Sequence, residues 1–298
     1  MYRTIMVPLD GSGFAEASLP VAVSLARRSG ARLHLVAVHE PIPSFAYDEW
    51  ESASREWTTD YLGRVVTRIG DAVGEVATAL RTGSVVDTLE AESTACEAGL
   101  IVMATHGRGL LSRAWLGSVA DAFVRHTDRP VLLVRPEEEK GEVDLGQDRV
   151  FRNILIPLDG SSLSEDAKDH AVALGELYEA GYHLVRVVPF PTEVASSYLP
   201  YAVQVNQGVV EEAKIAAADY LESQADALRA HGHRVTTSVQ VDAQPGHGIL
   251  RAAESDGCDL IAMATHGRTG LTRAILGSAS DKVLRGTHLP LLLHRPLA

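Results

Sequence analysis

The chain has 298 residues, a net charge of −12 and an apolar fraction of 46%. That length suits about two domains, each large enough to bury its own core. The acidic balance argues against nucleic acid or an anionic membrane as partner, since both require a basic face; a nucleotide needs only local donors and stays open.

The opening, MYRTIMVPLDGS, lacks a basic segment followed by a long apolar run, and no stretch of 18 apolar residues occurs. A cytoplasmic location is therefore expected. An apolar strand is predicted over 3–9, then a helix over 13–29 that Pro20 should kink or restart. RLHLVAV at 32–38 forms a second strand, and 47–73 a long helix. A strand near 76–81, a helix near 85–98, a strand at 99–104, a helix from 118 and a strand at 130–135 complete the first half. Residues 136–149, PEEEKGEVDLGQDR, are polar and without apolar periodicity, which marks a linker. The same order then recurs at 152–158, 163–179, 182–188, 208–231, 233–241, 247–256, 259–264, 278–286 and 290–294. Domains over 1–136 and 150–298, joined by an acidic linker at 137–149, are expected. The second half is longer by eleven residues between its second and fourth strands, and the excess is placed in a Pro-containing loop at 189–207. The two cysteines, Cys96 and Cys258, are not equivalent in the repeat and have no metal-binding spacing; two buried thiols are expected. Regular strand–helix alternation with nearly continuous apolar strands predicts a parallel sheet covered by helices on both faces.

The duplication is sharpest in one loop. Residues 104–118, ATHGRGLLSRAWLGS, and 264–278, ATHGRTGLTRAILGS, agree at eleven of fifteen positions. Each follows an apolar strand and precedes a helix, where free N–H groups and the helix dipole favour an anion. Gly107 and Gly267 permit close backbone approach; Gly117-Ser118 and Gly277-Ser278 open the helices. Ser118 and Ser278 could donate to phosphate or ligate a metal, and Arg108, Arg113, Arg268 and Arg273 add positive charge. The alternative is a long loop with a serine cap. Asp10 and Asp159 follow the first strand of each half and could accept from a ribose hydroxyl, or hold the turn itself. His106 and His266 could donate to phosphate or simply pack.

The strand-ending V-P-L-D-G-S, the H-G-x9-G-S loop and the P-V-L-L-V strand together resemble the universal stress protein family, with two copies over almost the whole chain. The resemblance implies two tandem Rossmann-like domains of the adenine nucleotide alpha hydrolase type, each an α/β unit with five parallel strands ordered 3-2-1-4-5. It implies ATP (or ADP or AMP) with Mg or Mn, the metal held through the phosphates. Site 1 would comprise Pro8, Asp10, Val38, Met103, Ala104, His106, Gly107, Arg108, Gly117, Ser118 and Val119. Site 2 would comprise Pro157, Asp159, Val187, Met263, Ala264, His266, Gly267, Arg268, Gly277, Ser278 and Ala279. Pro8 and Asp10 would line base and ribose, Val38 would touch adenine, and Met103 and Ala104 would lie under ribose and phosphates. The family pattern G-x-x-G-x9-G-[S/T] is broken at its first glycine, which is Ala104 and Ala264 here. The resemblance also implies pairing of the two domains through 130–135 and 290–294, and leaves room for a homodimer. The expected function is a nucleotide-dependent stress regulator that acts on a regulatory protein. The alternatives are a scaffold that binds no nucleotide and works through protein contacts, or a slow ATPase or autokinase. No GxxxxGK[ST] loop is present, so weak ATP hydrolysis is the most that is expected.

Overall fold

The computed structural model describes residues 2–41, 48–105, 117–136, 143–146, 148–189, 200–265 and 276–295, without the side chains of 48–50 and 200–207. The chain divides into two compact units, residues 1–150 with 292–297 and residues 151–291; the last strand, which crosses that boundary, is described with the second repeat it completes. Each is treated by itself, as domain 1 and domain 2.

Domain 1 runs β1 (Thr4–Pro8), α1 (Gly13–Glu16), α2 (Leu19–Ser29), β2 (Arg32–His39), α3 (Asp48–Ile69), β3 (Val76–Thr82), α4 (Val85–Ala95), β4 (Leu100–Ala104), α5 (Ser118–His126) and β5 (Val131–Val134). The strands are parallel and ordered β3-β2-β1-β4-β5. All of β4 and β5 is buried, whereas β3, at the edge, is half-buried or exposed except at Ala79. Strands covered on both faces need unbroken apolar runs such as LIVMA, and an edge strand does not. Pro20 restarts the first helix as its fixed φ requires. The chain leaves α1 at Ala17, the Ser18 hydroxyl donates to the Ala15 carbonyl (2.7 Å), and Pro20 lies in the first turn of α2.

Domain 2 repeats this as β6 (Asn153–Pro157), α6 (Ser162–Gly175), β7 (Gly181–Val188), α7 (Pro200–Ala230), β8 (Val235–Val241), α8 (Pro245–Ser255), β9 (Leu260–Ala264), α9 (Ser278–Gly286) and β10 (Leu291–His294). Its order is β8-β7-β6-β9-β10. One expectation is corrected. Residues 200–207 belong to α7 and not to a loop at 189–207, because Pro200 stands at the helix start, where a missing N–H costs nothing. Residues 190–199 lie outside the described residues.

The acidic linker also differs from a free tether at its described end. Leu145 is buried, the Arg68 guanidinium donates to the Val143 carbonyl (3.0 Å), and Ser24 on α2 donates to Asp148 (2.7 Å) and to the Arg149 carbonyl (2.9 Å). Ser24 and the neighbouring Arg28 draw the Asp148 carboxyl below its ordinary pKa. One buried leucine among charged residues has no periodicity, so the pattern alone reads as linker.

A buried charge cluster joins three elements of domain 1. His34 on β2 meets Glu92 on α4 (Nε2 to Oε1, 2.7 Å), and Arg81 on β3 donates to both oxygens of the same carboxylate (2.5 and 3.1 Å). Glu92 is only 4% exposed. Burial works against its charge, but the Arg81 and His34 hydrogen bonds outweigh it and hold the carboxyl below its ordinary range. The matching histidine of domain 2, His183 on β7, has other company: Thr236 (2.7 Å) and Ser238 (2.8 Å) on β8 and Asp256 (3.1 Å) after α8. Burial pushes the His183 pKa down, against the pull of Asp256. Both cysteines are buried and free. Among the described residues no helix is long and apolar enough to cross a membrane.

Candidate functional site

In a parallel α/β sheet the strand ends and the helix N-termini gather at one edge, beside the place where the strand order reverses. In domain 1 that place lies between β1 and β4. β1 ends at Pro8, and a tight turn follows through Gly11, whose φ of +81° suits glycine. Asp10 fixes the turn: its Oδ1 accepts from the Ser12 N–H (2.9 Å) and hydroxyl (2.6 Å), and the Ser12 hydroxyl oxygen then accepts from Ala15 N–H (3.2 Å) to cap α1. Domain 2 repeats this at Asp159, Gly160 and Ser161 (3.0 and 2.6 Å). Both aspartates are therefore turn residues in part, and Asp10 also lines a cavity.

That cavity, of about 490 Å³, lies at the carboxyl edge of the domain 1 sheet. Its volume is within the roughly 300–1,000 Å³ range of small-molecule sites. Among the residues expected at site 1, Pro8, Asp10, Val38, Met103, Ala104, Gly117, Ser118 and Val119 all line it. His106, Gly107 and Arg108, with Arg113, lie outside the described residues. The loop that carries them is closed at its base, where Gly117 N–H donates to the Thr105 carbonyl (2.6 Å). Gly117 then caps α5 with no side chain, and Gly117, Ser118, Val119 and Ala120 of the first turn all line the cavity.

The opposite end is apolar on one side and polar on the other. Side chains alternate along β2, so Val38 shares a face with Val36 and His34, while His39 points the other way. Val36 and Val38 line the cavity with Val85 and Leu89, one helical turn apart at the start of α4. His39 lines it with Ser54 and Thr58 of α3. None of these except Val38 was expected from the motifs; the i, i+4 pair Val85 and Leu89 was the available signal, and it reads equally as core. Within α3, Tyr61 stacks on Trp57 one turn before it (5.7 Å between centroids). Burial, with the Glu16 and Asp10 carboxylates close by, pushes the Tyr61 phenol well above its ordinary pKa.

Domain 2 places Pro157, Val187, Met263 and Ala264 at the ends of β6, β7 and β9, and Gly277, Ser278 and Ala279 at the start of α9. Gly277 N–H donates to the Thr265 carbonyl (2.9 Å), as in domain 1. His266, Gly267 and Arg268, with Arg273, lie outside the described residues. One difference is structural. A Cβ on Gly248 of α8 would lie 2.9 Å from both Val187 methyls, and one on Gly246 would lie 2.7 Å from the Lys282 Cβ. α8 therefore presses directly on Val187. Domain 1 has Val86 and Thr88 at the corresponding places.

The comparisons agree with this architecture. A universal stress protein of Archaeoglobus fulgidus has the same fold over 98% of this chain and 96% of its own (TM-score 0.69, 18% identity). A Mycolicibacterium smegmatis universal stress protein is 26% identical over 98% of this chain and 97% of its own. One from Mycobacterium tuberculosis is 30% identical over 203 residues, 67% of this chain; the match spans 62% of that relative's length. The profile of the universal stress protein family matches residues 1–135 and again 151–295. With a complete family domain in each half, the chain belongs to the universal stress protein family, in its tandem form.

Proposed function

We propose that this protein is a nucleotide-dependent stress regulator whose domain 1 binds ATP. One observation carries the reading: a single cavity joins an apolar cleft at Val36, Val38, Val85 and Leu89 to the bare N-terminus of α5 at Gly117-Ser118. A ligand with a flat apolar head and an anionic tail satisfies both ends, and the helix N–H groups and dipole supply donors to the tail. The Ala104 methyl lines this cavity without filling it. Among the described residues no cluster of His, Cys, Asp and Glu is built to hold a metal, so Mg or Mn would arrive with the phosphates and meet the Ser118 hydroxyl. For regulation, ATP must bind two conformations of the protein unequally, and so change the surface offered to a regulatory protein or a second copy.

Domain 2 carries the same helix start, but α8 narrows its cleft at Val187. Native mass spectrometry of the chain titrated with ATP and Mg tests both statements. One ATP per chain at saturation is the expected result; no adduct from folded protein would favour a scaffold that works through protein contacts alone.

Asp10 provides a second check. Asp10→Ala is expected to weaken ATP binding in domain 1 by about 1–2 kcal/mol, the scale of a lost polar contact. Isothermal titration calorimetry reads this directly. An unchanged affinity would assign Asp10 wholly to its turn with Ser12.

A further inference from the structure

Each domain ends its sheet, among the described residues, in a strand with a single neighbour: β3 beside β2 and β8 beside β7. An edge strand pairs with other chains unless something covers its backbone. The two edges differ in this respect. In domain 2 the Tyr182 N–H donates to the Arg234 carbonyl (2.8 Å) and the Asp242 N–H to the Val188 carbonyl (3.2 Å). Even-numbered residues of β8 therefore bond β7, and odd-numbered ones point outward. Side chains hold the outward carbonyls at both ends: Arg229 donates to Val235 (3.3 and 3.1 Å) and Arg251 to Val241 (3.4 Å). In domain 1 the Leu33 N–H donates to the Glu75 carbonyl (2.9 Å) and the Gly83 N–H to the His39 carbonyl (3.1 Å). Here the odd-numbered residues bond β2, and the N–H and C=O groups of Val76, Thr78 and Leu80 point outward. Among the described residues no side chain bonds them.

We propose that β3 is a pairing edge for a second copy of this chain, the two β3 strands running antiparallel about a two-fold axis at Thr78. In that register Val76 of one copy faces Leu80 of the other and Thr78 faces Thr78, so the outward groups of the two strands bond each other. Val76 and Leu80 then pack together on the α3 side. On the α4 side Ala77 meets Ala79, and Glu75 meets Arg81 at both ends of the pair. Opposite charges directly across a strand pair stabilise it. The Glu75 side chain is 68% exposed, and Arg81 keeps 49% of its own exposed while bonded to Glu92. A register centred on Ala79 would set Glu75 opposite Gly83 and lose this match. Antiparallel pairing of β8 about Ser238 would instead bring Val235 against Val241, and with them Arg229 against Arg251, so the charges there oppose association. The assignment is independent of whether nucleotide binds.

Sedimentation velocity of the full chain over a wide concentration range tests it, and a monomer–dimer equilibrium is expected. Glu75→Arg sets like charges against each other at both ends, and should weaken the dimer by about tenfold while the melting temperature holds. Thr78→Cys reads the register. Hydrogen-bonded antiparallel pairs have Cα atoms about 5.5 Å apart, within disulfide reach, and both native cysteines are buried. Mild oxidation should link Thr78→Cys into a covalent dimer and leave Thr82→Cys, which faces no copy of itself, unlinked. A parent that stays monomeric throughout would overturn the proposal and leave the edge to an extended peptide of another protein. A dimer that neither responds to Glu75→Arg nor cross-links through Thr78→Cys would overturn it too, by placing the association on another surface.

Discussion

Gly117→Glu is expected to remove ATP binding from domain 1 while the protein stays folded. Gly117 caps α5 with φ −66° and ψ 149°, extended backbone open to any residue, so the substitution imposes no strain. A glutamate there brings a carboxylate to the helix N-terminus that the cavity exposes. Two like charges about 4 Å apart repel by about 4 kcal/mol at the effective dielectric of a protein surface. The loss of affinity should thus exceed about 100-fold. The same carboxylate interacts favourably with the helix dipole, so the melting temperature should hold or rise slightly. Opposite responses of binding and stability distinguish this result from simple unfolding. Calorimetry with ATP and a thermal melt of the same sample check it; retained affinity would place the ligand elsewhere.

The largest stability effect is expected at Glu92. Glu92→Ala leaves the His34 imidazole and the Arg81 guanidinium without their shared carboxylate inside the β2–β3–α4 layer. Breaking a buried ion pair by removing one partner costs roughly 3–5 kcal/mol. Arg81 is half exposed and regains water, which lowers the expectation to roughly 2–3 kcal/mol. The three tryptophans, Trp50, Trp57 and Trp115, all lie in domain 1, so tryptophan fluorescence during urea unfolding reads that domain. The pH dependence has a definite sign. The folded pKa of Glu92 lies below its ordinary 4.5, so its contribution is complete above about 4.5 and is lost as pH falls through the folded value. Between pH 5 and 3 the parent should lose more stability than Glu92→Gln. Parallel losses in the two proteins would remove Glu92 from the acid response.

The strands were legible because each central strand is an unbroken apolar run between turn residues, and because two copies of the pattern support each other; their order came from the family resemblance, since apolar runs do not say which strands are neighbours. Pro20 was legible as a break, since its ring admits one φ. Pro200 was misread for the same chemistry: proline marks loops and helix starts alike, and only the coordinates tell which. In the site, Asp10 and Gly117 stood out by their spacing. Val85 and Leu89 did not, because a pair of apolar residues one turn apart describes core and cleft equally. His34, Arg81 and Glu92 were invisible, lying on three elements with no motif between them. Only the parallel register of β2 and β3, which sets His34 beside Ala77 and Val38 beside Arg81, brings two of them onto one face for α4 to cover.

The duplicated histidine defines which pieces recombination can exchange between the halves. His34 finds Glu92 on α4, whose carboxylate Arg81 on β3 also holds; His183 finds Thr236 and Ser238 on β8 and Asp256 just after α8. In both copies the strand and the helix that follows it carry the histidine's partners as a set. A crossover that moves residues 76–95 whole into the place of 235–256 keeps the set together. One that falls between Thr82 and Val85 separates Arg81 from Glu92 and leaves the carboxylate only a histidine. The strand–helix block, rather than the single element, is the heritable module of this fold.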